Sequence, residues 1–168
     1  MSGKIRTYCL SIVLVISVSS QAAYAGCLTE QQVRADQIKF VQASLTAAAM
    51  TCQGNRRDEI LKIYNLFIGR YRSEILGSLT DLALYYRSET SANYRDALDQ
   101  HIIRQTNSAL VGGREMPDFC QTLLMKTADL AATPQVDSLQ WVDEMPIHYE
   151  PVIKACKSQE FPQLASSE

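Results

Sequence analysis

Proline is confined to the final third of this chain, and this restriction does most to limit the folds open to it. All five prolines of the 168-residue sequence lie at or beyond position 117, so residues 26–116 contain none. Because proline removes a backbone donor and clashes with the preceding helical turn, the early stretch can form long helices and the later one must be divided. No segment alternates apolar and polar residues for long enough to indicate a strand. We therefore expect an all-α fold.

The spacing of apolar residues predicts where the helices lie. Thr29 followed by Gln32 has the pattern of a capping box, and apolar residues then recur every three or four positions up to Cys52. The most regular pattern of this kind runs from Leu61 to Tyr86, and Gly112-Gly113 is expected to end the third helix. The predicted helices span residues 29–52, 58–86, 91–111 and 117–130, with a short one over 133–142 and a short turn or helix over 151–156. This order predicts an up-down bundle of four main helices plus a short fifth.

The first 25 residues have the features of a secretory signal peptide. Lys4 and Arg6 precede an apolar run over residues 9–18, which is too short to span a bilayer comfortably. Small residues at Ala23 and Ala25 suit a signal peptidase, so we predict cleavage after Ala25. A rival site would leave Cys27 as a lipidated N-terminus, but Tyr24 then stands where lipoprotein signals favour a leucine-like residue. The remaining alternative is an uncleaved membrane anchor. The predicted organisation is a signal peptide (1–25), a single helical domain (26–156) and a flexible tail (157–168).

Four cysteines remain after the leader is removed: Cys27, Cys52, Cys120 and Cys156. An even number in an exported chain predicts two disulfides. Cys27 and Cys52 flank one helix whose ends lie about 35 Å apart, so they cannot pair if that helix is continuous. An up-down bundle favours Cys52 with Cys120 and Cys27 with Cys156. The pairing of Cys27 with Cys120 and Cys52 with Cys156 stays open, since it requires only a crossover connection.

The charge distribution limits the possible partners. The formal charge of −2 becomes −4 when the two leader cations are lost, which gives no reason to expect nucleic-acid binding. Early in the second helix, several cations form a possible binding surface for an acidic partner: Arg56, Arg57, Lys62, Arg70 and Arg72. The alternative is a solvated face that balances the acidic C-terminal part of the same chain.

No set of residues indicates catalysis, a metal site or a cofactor. The sequence lacks the motifs of phosphate-binding loops, dinucleotide folds, zinc proteases, serine hydrolases and EF-hands. His101 and His148 are isolated in sequence, and the partners that a metal ligand or a nucleophile's base would need cannot be identified. Tyrosines recur at helical spacing in the second and third helices, which indicates core packing, with a ligand groove as the alternative. We assign no catalytic residue, no metal ligand and no cofactor.

Several short motifs carry a resemblance to a known family. Their residues are Cys52, Tyr64-Asn65-Leu66-Phe67, Arg72-Ser73-Glu74-Ile75, Leu98-Asp99, Thr106-Asn107-Ser108 and Phe119-Cys120. Over residues 38–124 the sequence resembles a family of small uncharacterised exported helical proteins of alphaproteobacteria. That family has no established activity, so the resemblance implies no catalytic residue. It does imply that Cys52 and Cys120, the cysteines shared with the family pattern, form a pair.

These features favour an exported periplasmic protein that binds rather than catalyses. We expect an accessory module with a protein partner in the envelope, as an inhibitor or immunity-like protein would have. The alternatives are a small periplasmic hydrolase using an acid pair or His101, and a small-molecule carrier with a cavity between the tyrosine-bearing helices. No stable membrane span is expected after signal cleavage, and the sequence does not specify an oligomeric state.

Overall fold

Six helices build the fold in the computed structural model, which describes residues 26–90 and 93–156. They are α1 (Glu30–Thr51), α2 (Asn55–Arg70), α3 (Arg72–Glu89), α4 (Tyr94–Glu115), α5 (Phe119–Ala132) and the short α6 (Gln140–Glu144). The predicted all-α fold is confirmed. The predicted signal peptide with its cleavage site at Ala25, and the predicted tail over 157–168, lie outside the described residues. Within the described ranges, no helix is both long enough and apolar enough to cross a membrane.

Helix α1 is the central element and packs against α2, α3, α4 and α6. It begins at the predicted capping box: the Thr29 side chain accepts from the Gln32 N–H at 3.3 Å, and the Gln32 side chain accepts from the Thr29 N–H at 2.9 Å. Its small and aliphatic residues, such as Val41 and Ala47, are buried around much of its circumference. A helix enclosed in this way contributes to the core from several sides.

The predicted single helix over 58–86 is wrong, because the chain changes direction at Tyr71 between α2 and α3. Tyr71 has φ −107° and ψ 23°, outside the helical range. Its ring is buried, its hydroxyl donates to the carbonyl of Val136 at 2.7 Å, and the same oxygen accepts from Trp141 Nε1 at 3.2 Å. These tertiary contacts fix the bend, although the apolar periodicity continues on both sides of it.

The prediction that Gly112-Gly113 ends a helix is also wrong, because α4 continues to Glu115. Both glycines instead permit close packing. A Cβ at Gly113 would lie 2.8 Å from the Phe119 ring, and one at Gly112 would lie 3.2 Å from Ile147. The absence of a side chain therefore brings α5 and the C-terminal segment against α4.

Two disulfides crosslink the helices with the favoured connectivity. Cys52 at the end of α1 pairs with Cys120 in α5, and Cys27 pairs with Cys156. The larger hydrophobic core lies around Phe67 and Trp141, and a smaller one contains Leu28 and neighbouring tyrosines. The prediction of two disulfides, and of this pairing, is confirmed.

Residues 145–156 form an irregular C-terminal strap that returns to the N-terminus of the domain. The short helix predicted over 133–142 corresponds to α6, which begins later, at Gln140, and ends at Glu144. Residues 151–156 carry bends instead of a helix. Leu28 pairs with Ala155 as an isolated parallel bridge. The Leu28 N–H donates to the Lys154 carbonyl at 2.9 Å, and the Cys156 N–H donates to the Leu28 carbonyl at 2.8 Å. With the adjacent Cys27–Cys156 bond, this bridge anchors the end of the strap.

Candidate functional site

A fully buried carboxylate, Asp36 of α1, is the centre of the most concentrated polar cluster in the described chain. Its Oδ1 lies 2.5 Å from His101 Nε2 and accepts from Gln105 Nε2 at 2.7 Å, while its Oδ2 accepts from the Tyr149 hydroxyl at 2.6 Å. Asp36 and His101 are both 0% exposed. A buried carboxylate is costly unless its oxygens are hydrogen-bonded, so these contacts join α1, α4 and the strap into one unit.

The hydrogen-bonding capacity of this cluster is not fully used. An ionised Asp36 can only accept, so the nearby nitrogens of His101 and Gln105 must be the donors. This leaves His101 Nδ1 and Gln105 Oε1 buried without a hydrogen-bond partner in the part of the chain that the structure describes. Such unsatisfied atoms are uncommon in protein interiors, and both belong to side chains of α4.

Two tyrosines border the cluster and stay protonated well above neutral pH. Burial, with a smaller contribution from the hydrogen bond to Asp36, raises the pKa of Tyr149. Burial raises the pKa of Tyr86 to about 12, although the nearby Arg104 guanidinium opposes the rise. The Tyr86 ring lies 5.7 Å from the His101 ring, centroid to centroid. Tyr149 therefore remains a hydrogen-bond donor to Asp36 over the physiological pH range.

A cleft of about 540 Å³ lies above the cluster, between α4 and the strap. Its volume falls within the range of about 300–1,000 Å³ typical of ligand sites. Phe40 and Gln105 belong to its lining, and Arg104, Glu115, His148 and Glu150 bring charged or titratable groups to it. The remaining lining residues are Asn107, Ser108, Val111, Gly112, Ile147 and Val152. The cleft thus combines an apolar wall with both signs of charge.

The two histidines have different environments. His101 is buried beneath the cleft and hydrogen-bonded to Asp36, whereas His148 is exposed and lines the cleft together with Glu115 and Glu150. No hydrogen bond within the described residues joins His148 to either glutamate or to Ser108. The described residues also contain no cluster of three or more acids, histidines or cysteines suited to a metal ion.

The residues predicted as a basic binding surface have two kinds of environment. Arg70 is engaged within the fold, because its guanidinium donates to the carbonyls of Leu130, Ala131 and Thr133 at 2.9, 3.3 and 2.8 Å. The other four, Arg56, Arg57, Lys62 and Arg72, are exposed. Arg57 and Lys62 project about 140° apart around α2 at the normal helical rotation. A shared binding role for these cations remains a prediction.

The tyrosine pattern forms core contacts. Tyr71 packs against Phe67 and Trp141, with centroid distances of 5.1 and 6.4 Å. Tyr85 and Tyr86 belong to the smaller core, where their rings lie 5.1 Å apart. These side chains are separate from the cleft, which is lined mainly by α4 and the strap.

A second polar cluster joins α1 to α3 and to the loop before α6. The Arg34 guanidinium lies 3.4 Å from a Glu74 oxygen and 3.1 Å from an Asp137 oxygen. The Leu139 N–H, and then Arg34, lower the pKa of the Asp137 carboxyl. All three side chains are substantially exposed, so we assign this cluster to local structure.

The site residues predicted from the sequence do not include Asp36, Gln105, Arg104 or Tyr149. A signal for part of the cluster was present in α4, where Leu98, His101, Gln105 and Ala109 follow one another at steps of three and four. Polar residues inside such an apolar pattern indicate buried groups that need partners. Tyr149 lies in an irregular segment between two prolines, so no periodicity could point to it.

This sequence matches no protein-family model, and no curated protein or solved structure matches it either. Its function must therefore be argued from the site itself.

Proposed function

We propose that this chain is an exported binding module of the bacterial envelope, which recognises a protein partner through the cleft between α4 and the strap. The observation that carries the proposal is the cleft itself, whose walls are held in place by a buried hydrogen-bonded cluster. A rigid wall with mixed polarity lowers the ordering cost of binding. Membership of the family of exported helical proteins is part of this proposal.

Export to the periplasm is supported by the leader sequence and by the disulfides together. Residues 1–25 carry the charged and apolar regions of a signal peptide, and disulfides persist in oxidising compartments such as the periplasm. The sulfur of Cys27 is bonded to Cys156, and a sulfur in a disulfide cannot also hold a lipid thioether. We therefore favour cleavage after Ala25 over lipidation at Cys27.

Fractionation and N-terminal sequencing test export. The expected result is release by osmotic shock of a chain that begins at Gly26, with the Cys27–Cys156 and Cys52–Cys120 peptides recovered from a non-reducing digest. A chain retained in the cytoplasm with its leader intact would contradict the export proposal.

Partner capture tests the binding role, with a matched pair of variants. Ser108 lines the cleft on α4, and Ser73 is an exposed helical serine on α3 outside it. We expect Ser108→Trp to block the cleft and abolish retention of a periplasmic partner, while Ser73→Trp retains it. Mass spectrometry of crosslinked products should place the partner at the cleft. Equal retention by both variants would exclude the cleft as the recognition site.

A small hydrolase remains the second candidate because the cleft collects His148, Glu115 and Glu150. A histidine and carboxylates in one cleft are the groups that general acid–base chemistry uses. Turnover of ester, glycoside or peptide substrates by the purified chain, lost in both His148→Ala and Glu150→Gln, would support this candidate. Activity that both variants retain would exclude these residues as its catalytic groups.

A further inference from the structure

The strap has unpaired backbone groups where it borders the cleft. Within the described chain, no hydrogen bond uses a backbone N–H or carbonyl of residues 147–152. His148 and Glu150 line the cleft, whereas Tyr149 between them turns inward to Asp36 and Phe40. Ile147, the neighbour of His148, also lines the cleft, so the alternation that is typical of an extended strand covers residues 148–150. An extended segment with unpaired backbone groups can pair with another chain.

Near its C-terminal end, the same strap already forms one strand-like bridge. Leu28 bonds to Lys154 and Cys156 on either side of Ala155 as a parallel bridge. The Cys27–Cys156 bond and the Tyr149 contact with Asp36 hold the strap against α1. The unpaired backbone at 147–150 is therefore presented by a fixed segment, which reduces the entropy lost when a partner strand is added.

The length of the cleft fits a short extended peptide. Its lining on α4 runs from Arg104 to Glu115, a rise of about 16 Å. An extended chain covers that distance with about five residues. Phe40, Val111 and Ile147 supply apolar surface for side chains, and Asn107 and Ser108 supply polar contacts from the opposite wall.

We propose that the cleft binds an extended peptide segment of the partner, which adds as a strand to the backbone of residues 147–150. This inference rests on the proposed function and names the mode of recognition at the same site. Main-chain hydrogen bonds supply the affinity, and alternate side chains contact α4 and Phe40. Arg104 at one end of the cleft and Glu115 at the other favour peptide charges of opposite sign at those ends.

Nuclear magnetic resonance on the isotope-labelled mature chain tests the pairing. The probe is a blocked pentapeptide of alternating threonine and valine, added at about 1 mM, which detects weak association. We expect the amide signals of His148 and Glu150 to shift and to gain protection from hydrogen exchange. The same peptide methylated on alternate backbone nitrogens should bind at least about tenfold more weakly, since it cannot donate those hydrogen bonds.

Variants separate this inference from the proposed function. Ser108→Trp should remove the response and Ser73→Trp should leave it unchanged. Equal binding of both peptides, shifts outside the cleft, or no binding at all would overturn strand addition. If strand addition fails while partner capture still depends on the cleft, the proposed function stands. If capture is insensitive to Ser108→Trp, the proposed function fails as well.

Discussion

The Tyr149 hydroxyl offers the sharpest test of the buried cluster, because one oxygen can be removed without changing the ring. In Tyr149→Phe the aromatic contact with Phe40, at a centroid distance of 5.2 Å, is kept. Asp36 Oδ2 loses the donor that lies 2.6 Å away and has no other described partner. A hydrogen bond to a charged group contributes about 1.5–3 kcal/mol, so we expect a loss of about 2 kcal/mol in the free energy of unfolding.

Denaturant unfolding followed by circular dichroism measures this loss. For a domain of this size, the expected change corresponds to a fall in Tm of about 4–8 °C. Tyr64→Phe is the matched control, because Tyr64 is only partly buried and its hydroxyl has no hydrogen bond within the described residues; it should change stability by less than about 0.5 kcal/mol. Equal stability of the two variants would refute the role assigned to Tyr149 in supporting the buried carboxylate.

The remaining predictions concern packing, helix ends and alkaline pH. Gly113→Ala should destabilise the fold by about 1–3 kcal/mol because its Cβ meets an aromatic ring. Gly69→Ala, with open space around it, should stabilise the fold by about 0.5–1 kcal/mol. Thermal melts measure both changes, and a higher Tm for both variants would contradict the close packing at Gly113. Arg70→Ala should lower the free energy of unfolding by about 1–2 kcal/mol, because it removes the hydrogen bonds to the carbonyls at the end of α5. Arg72→Ala is the control and should be near neutral. Equal stability of the two variants in chemical denaturation would argue against this role of Arg70. Because the pKa of Tyr86 is raised to about 12, its neutral form favours the folded state. Its contribution to stability should be fully present below pH 10 and fall from pH 10 to 12. Tyr86→Phe should reduce the dependence of the free energy of unfolding on pH in this range, and an unchanged dependence would assign the loss to other groups.

Local signals in the sequence predicted the first helix and the fold class well. The capping box at Thr29 depends on residues three positions apart, and the structure contains it. The break at Tyr71 was missed because its causes, Val136 and Trp141, lie far along the chain. Gly112 and Gly113 were misassigned for a similar reason: a glycine needed for close packing and one that ends a helix look the same in sequence.

The candidate site was harder to predict than the fold, because its parts come from segments with different periodicities. His101 and Gln105 lie on a recognisable helical face, but Asp36 is one of many positions on a helix buried on several sides. Tyr149 reaches Asp36 from irregular chain 113 residues away. Helical spacing alone cannot identify which buried acid meets which distant donor, since this pairing is set by how the strap crosses α1 and α4.

The disulfide connectivity has a consequence for biogenesis. Cys27 and Cys156 are separated by 129 residues and enclose the Cys52–Cys120 pair, which is separated by 68. A chain that enters an oxidising compartment from its N-terminus presents Cys27 and Cys52 first, and oxidation in order of arrival would join the wrong sulfurs. Early formation of α1 keeps those two cysteines about 35 Å apart, so the helix itself prevents Cys27 from pairing with Cys52 before the strap arrives. If the cysteines are oxidised before α1 forms, correct maturation requires a thiol–disulfide isomerase.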